Sequence, residues 1–138
     1  MLDEAAARFA AREAIISADE RISYAELGRR VGRLARGLLA LGIQKDDKVA
    51  LWLPNRPAWL VAQHACAKIG ATVVALNTRY KAHELSYILE QSDAAALILT
   101  DHLGPIDFLE VLDEVLPELQ NAEPGALHAE KFPLLKHV

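Results

Sequence analysis

The sequence predicts a three-layer α/β fold, a partial parallel sheet built from βαβ units and preceded by a small N-terminal β-hairpin. Two observations carry this expectation. Apolar runs of strand length at 49–53, 71–76 and 94–99 alternate with longer segments of helical period, the pattern of right-handed βαβ units under helical cover. Ahead of them, the β-prone runs 14–17 and 21–24 flank the polar turn Ala18-Asp19-Glu20 and read as a hairpin.

Each element then follows from local chemistry. Ser23-Tyr24-Ala25-Glu26 matches the S-x-x-E capping box, in which hydroxyl and carboxylate satisfy orphan amides reciprocally. The helix behind it carries Leu27, Val31, Leu34, Leu38 and Leu41 as its expected core stripe, and Gly42 ends it. After the run 49–53, Pro54-Asn55 closes the strand, with Asn55 the expected cap of the next helix and Pro57 in its first turn. That helix, 58–69, is apolar nearly all round and should be heavily buried, with Gly70 as its stop.

Asn77-Thr78-Arg79-Tyr80 forms the loop after the second strand. Residues 82–91 give a helix that turns Leu85, Ile88 and Leu89 inward, and 106–116 give a last amphipathic helix before Pro117. Residues 1–117 therefore form one α/β unit, whereas 118–138 are rich in turn signals such as Glu123-Pro124-Gly125. The closing Phe132-Pro133-Leu134-Leu135 resembles the approach to a further strand. Sheets of this class commonly hold about 5–6 strands, so the expectation is a truncated domain.

Composition narrows the function classes. The 138 residues carry 15 Lys and Arg against 19 Asp and Glu, a net charge of −4, with 52% in the hydrophobic set. Mean hydropathy of +0.11 excludes disorder as the main description. The acidic balance speaks against a nucleic-acid binder, which needs a basic stripe to displace counterions. A single Cys gives no disulfide framework. Met1-Leu2-Asp3-Glu4 is acidic where a secretory signal is basic. No uncharged stretch approaches the about 18–20 apolar residues that cross a bilayer. The expected setting is cytoplasmic.

The seven glycines form neither G-x-G nor G-x-x-x-x-G-K-[ST], so no local phosphate cradle is written in the chain. Gly28 and Gly32 make G-x-x-x-G inside a helix, which reads as close helix packing. The five histidines are too far apart for a local ligand pair, and no metal site is expected. His64 and Cys66, two apart on a helix, do not share a face. In the cluster Arg29, Arg30, Arg33 and Arg36 the first two follow Glu26 at pairing distance, and the cluster reads mainly as a solvated face, with an anion or partner patch as the alternative. Asp101 follows a strand's carboxyl end, where α/β sheets place ligands, yet a capping or turn role suits it better. Arg79 lies at the same edge, and its guanidinium suits phosphate.

From residue 9 to residue 117 the order of pieces resembles the N-terminal part of acyl-CoA synthetases, of the adenylate-forming AMP-binding superfamily. The resemblance is carried by Ile22-Ser23-Tyr24-Ala25-Glu26-Leu27, Asp47-Lys48-Val49-Ala50, Leu53-Pro54-Asn55-Arg56-Pro57-Ala58-Trp59, Ala65-Cys66-Ala67-Lys68-Ile69-Gly70-Ala71, Leu76-Asn77-Thr78-Arg79-Tyr80 and Glu84-Leu85-Ser86-Tyr87-Ile88-Leu89. It implies ATP-dependent activation of a carboxylic acid, fatty or aryl, to an acyl-adenylate and then a CoA thioester. ATP, Mg2+ and CoA would serve the parent enzyme. Asn77-Thr78-Arg79 matches a loop near the CoA site, which makes Arg79 the sole site residue carried over. Lys81 stands where the family often has a Ser or Thr cap, so that helix start is expected to be looser.

The family's Ser/Thr/Gly-rich phosphate loop and its adenylation lysine have no counterpart here. The expectation is a non-catalytic fragment without a catalytic residue of its own, binding no cofactor tightly. Its natural partner would be the remainder of the parent chain, and on its own it would self-associate. The alternative is a free-standing α/β module used for partner docking.

Overall fold

The computed structural model describes all residues, 1–138. A short helix, α1 (Leu2–Arg8), leads into the hairpin β1 (Glu13–Ile16) and β2 (Arg21–Ser23), then α2 (Tyr24–Ala40), β3 (Lys48–Trp52), α3 (Pro57–Ile69) and β4 (Thr72–Ala75). There follow α4 (Ala82–Ser92), β5 (Ala94–Leu99), a two-residue ribbon of β6 (His102–Leu103) and β7 (Ile106–Asp107), α5 (Phe108–Val115) and a 3₁₀ turn, Pro117–Asn121.

The three apolar runs pair as a parallel sheet in the order β4-β3-β5. Successive β3 side chains face opposite ways. Val49 and Leu51 enter a core with α2 and α3, whereas Ala50 and Trp52 enter a second core with α4 and α5. Helices thus cover both faces, as the three-layer expectation required. A register shift between Lys48 and Val49 leaves Ala95 without a partner in β3, a bulge near the start of β5. The opposite edge of β5 meets the chain's end: Ala95 O accepts from Lys136 N, and Leu97 N donates to His137 O, in parallel sense.

Ser23 caps α2 by accepting from Glu26 N at 3.2 Å. The box closes on one side only, because the Glu26 carboxylate turns to Arg29 and Arg30. The buried stripe of α2 is Leu27, Val31, Ala35 and Leu38. Leu34 lies at its margin, and Leu41, expected in the core, is 51% exposed. The cause is that the helix stops at Ala40, so Leu41 is the cap residue and leaves the helical face.

The start of α3 also differs from the expectation. Arg56, not Asn55, is the cap residue, and Pro57 supplies the preset φ of the first helical position. Only Val61, Ala62, Ala65 and Cys66 of α3 are buried; Ala58, Leu60 and Ala67 face outward. An apolar composition there overstated the burial, because α3 is an outer layer with one face on the sheet. The last helix begins at Phe108 rather than at 106. Ile106 belongs to the β6–β7 ribbon, and Asp107 stops it by accepting from Leu109 N and Glu110 N.

Lys81 offers no capping oxygen, yet the start of α4 is not open. The Glu84 carboxylate accepts from Lys81 N at 3.0 Å, and that amide is the main reason its pKa lies below the ordinary value. The far end of α4 is less well served. Asp93 adopts the left-handed conformation (φ 53°) and places a carboxylate at the helix's negative pole, offset only by Lys48 at 3.8 Å in an exposed pair. Asp93→Gly is therefore expected to stabilise the chain by up to about 1 kcal/mol, read as a rise in urea midpoint at constant slope.

Residues 118–138 lack periodicity but do not lie loose. Leu127, Ala129, Phe132 and Leu135 are buried in the core of α4 and α5, and Lys131 Nζ donates to Ser86 Oγ at 2.7 Å.

Candidate functional site

In an open α/β sheet, ligands settle outside the carboxyl ends of the strands, where successive crossovers diverge to opposite sides. Here β3 is followed by β4 on one side and β5 on the other, so the divergence lies at the end of β3. Three loops meet there. A cleft of about 460 Å³ is lined by Leu53, Pro54 and Asn55 after β3, Asn77 and Thr78 after β4, and Leu103 of β6. A groove of about 320 Å³ at the opposite, amino edge is crossed by the Lys48–Asp93 pair. Loops at that edge do not form the crossover crevice.

Asn77 organises the loop after β4. Its side-chain oxygen accepts from Arg79 N at 3.0 Å, an Asx turn, and its carbonyl accepts from Tyr80 N at 3.0 Å. The same carbonyl accepts from the indole N–H of Trp52, 25 residues earlier, at 3.0 Å. Arg79 is thereby fixed in its backbone while its side chain stands exposed on the rim beside Thr78, outside the cleft lining. An exposed guanidinium without an ion-pair partner is suited to phosphate oxygens.

Asp101 proves to be a turn residue. Its carboxylate accepts from His102 N at 2.8 Å and from the Thr100 hydroxyl at 3.2 Å, and these bonds hold its pKa below the ordinary value. Its carbonyl accepts from Phe108 N at 2.8 Å, which ties the ribbon to the start of α5. The His102 imidazole lies 3.3 Å from Asp107 and 3.6 Å from Asp101.

The remaining candidates separate cleanly. Arg29 and Arg30 pair with Glu26, and Arg30 also with Glu20, as a solvated face requires. A Cβ on Gly28 would stand 3.2 Å from Ala6 Cβ, so close packing against α1 accounts for that glycine. Cys66 is buried, and burial pushes its thiol pKa up, away from nucleophilic use. No group of three or more His, Cys, Asp or Glu side chains could hold a metal ion. What the spacing argument overlooked is Trp52, which reads in sequence only as a core residue of a strand. Leu53 reads in sequence as the last residue of the strand run 49–53, and Leu103, in the ribbon after β5, carries no sequence signal.

A family model described as AMP-binding enzyme matches residues 2–134. The chain belongs to this family. Among AMP-binding enzymes it is 43% identical to the Bacillus subtilis protein named "Putative acyl-CoA synthetase YngI", over 99% of this chain and 25% of that one. It is 37% identical to the rat mitochondrial medium-chain acyl-CoA ligase ACSF2, over 99% of this chain and 23% of the relative. The solved fatty acyl CoA synthetase of Mycobacterium tuberculosis superposes with a TM-score of 0.75 at 27% identity, covering 99% of this chain and 24% of that structure. The chain thus spans about a quarter of the length of the AMP-binding enzymes it matches. The three-layer fold and the resemblance read from the sequence both hold.

Proposed function

We propose that this chain is the N-terminal portion of an ATP-dependent acyl-CoA synthetase and is not catalytic by itself. In the complete enzyme a fatty or aryl carboxylate attacks the α-phosphorus of ATP and releases pyrophosphate. CoA thiolate then displaces AMP from the acyl-adenylate. The observation that carries this reading is the match to acyl-CoA synthetases along nearly the whole chain, with a sheet whose ligand edge is built and open.

The residues present do not fit ATP or Mg2+: the chain has no glycine-rich phosphate loop and no cluster of metal-binding side chains. They do fit a phosphorylated ligand at one point, Arg79, which we assign to the CoA side of the site. Residues 118–138 carry the chain from the α/β unit 1–117 to the open edge of β5, where Lys136 and His137 begin a parallel pairing. The remainder of the parent chain is the natural partner of that edge. Without it, exposed Leu39, Leu41 and Leu134 favour self-association. No helix is long and apolar enough to cross a membrane.

The test is pyrophosphate release with ATP, Mg2+ and a panel of carboxylic acids. The full-length enzyme is expected to release it and then to form the CoA thioester. Release by residues 1–138 alone overturns the non-catalytic assignment. In the full-length enzyme Arg79→Ala is expected to raise KM for CoA about tenfold, the loss of one charge-assisted contact. Acid-dependent ATP–pyrophosphate exchange should stay as in the wild type.

A further inference from the structure

Trp52 has no exposed surface, which is uncommon for so large a side chain. A buried indole N–H has to find an acceptor. Here the acceptor is not in the sheet. It is the Asn77 carbonyl, in the loop that carries Arg79, reached at 3.0 Å from the last residue of β3. The ring is held in turn by Phe108, edge-on with centroids 4.4 Å apart, and Phe108 N donates to Asp101 O. One side chain therefore ties together the ends of all three parallel strands.

We infer that Trp52 is a positioning residue for the phosphorylated substrate, its indole N–H locking the Asn77–Tyr80 turn so that Arg79 is presented in one geometry. This inference rests on the assignment of Arg79 to the CoA side. The physical reason is pre-organisation. An exposed loop with a long cationic side chain loses conformational freedom when it binds an anion, and a loop already fixed at its base loses less. Asn77 supplies the base through three bonds: Oδ1 to Arg79 N, and the carbonyl to Tyr80 N and to Trp52 Nε1. Two of these are local and re-form after fraying. Of the three, only the Trp52 bond reaches the sheet, and it holds the turn itself, one residue beyond the Leu76 N–Leu51 O bond that ends the ladder. A phenylalanine at 52 would fill most of the space and lack the donor.

The experiment uses the full-length enzyme with Trp52→Phe. KM for CoA is expected to rise about fivefold, the worth of one net hydrogen bond, with kcat and the KM values for ATP and acid unchanged. Hydrogen exchange should quicken at the Arg79 and Tyr80 amides and stay slow at Leu51. Leu112→Ala is the control, since it opens a cavity in the same core away from the loop. It should lower the melting temperature at least as much and leave KM for CoA unchanged. An unchanged KM for CoA in Trp52→Phe, or an equal rise in Leu112→Ala, overturns the inference. A wild-type enzyme that makes no acyl-CoA overturns the underlying assignment instead. Unaltered exchange at Arg79 and Tyr80 then also removes the anchoring role.

Discussion

Phe108→Ala is expected to cost about 3–5 kcal/mol, a large share of the stability of a small domain. Phe108 has no exposed surface and is the first residue of α5, where the Asp107 cap fixes the backbone. Its ring stacks edge-on against Trp52, and it shares a core with Leu112, Leu116, Phe132 and Leu135. Removing the ring loses its transfer energy and leaves a cavity that cannot collapse. One wall is the sheet, and the others are a helix and a pinned tail. Phe108→Leu retains most of the volume and should cost less than about 1.5 kcal/mol. Urea unfolding followed by far-UV circular dichroism measures both. A loss under 1 kcal/mol for the alanine variant would show that the tail or α5 closes the gap and that this core is plastic.

The second large effect is at Gly70. Its φ of +78° places it in the left-handed region, where it ends α3 and turns the chain into β4. Gly70 N donates to Ala67 O, Ala71 N to Cys66 O, and Gly70 O accepts from Asp46 N. A Cβ at this position would stand 2.9 Å from Lys45 Cγ. Gly70→Val combines left-handed strain in a β-branched residue with that contact, and about 1–3 kcal/mol of stability should be lost. Gly37→Ala gives the opposite sign. It lies within α2 with nothing within 4 Å of its Cβ position, so the variant should gain about 0.5–1 kcal/mol. Equal effects at the two glycines would refute the geometric argument.

How far the sequence foretold these features depended on whether a signal was local. The Ser23 cap, the Gly70 stop and the three parallel strands each rest on residues within a few positions and stand where the pattern put them, but β4 is an edge strand whose residues are exposed or half-buried, not the buried strand its apolar run suggested. α1 escaped because its seven residues are held by distant partners: Leu2 packs on the α2–α3 core, and Asp3 pairs with Lys68, 65 residues away. The β6–β7 ribbon, two residues a strand, is shorter than any periodicity can reveal. In the tail, Leu127, Ala129, Phe132 and Leu135 are buried at uneven intervals, so neither a helical nor a strand pattern marks them.

The site divides the same way. Arg79 stood out because a guanidinium after a strand end has an evident chemistry. Trp52 did not, because a tryptophan in an apolar strand looks like packing until its N–H is traced across 25 residues. Asn55 shows the reverse error: a residue type with a strong capping preference was credited with a cap that Arg56 occupies.

The alternation along β3 has a thermodynamic consequence. The two cores meet only through the sheet, whose central strand contributes Val49 and Leu51 to one and Ala50 and Trp52 to the other. Leu38 and Leu112 sit on opposite sides of that partition, and truncating both should give the sum of the separate losses. Pair either with a change in β3 and the losses should no longer add, because each compartment then feels the other's damage through the wall they share. Energetically the molecule behaves as two half-buildings with one party wall, and it stands only while that wall does.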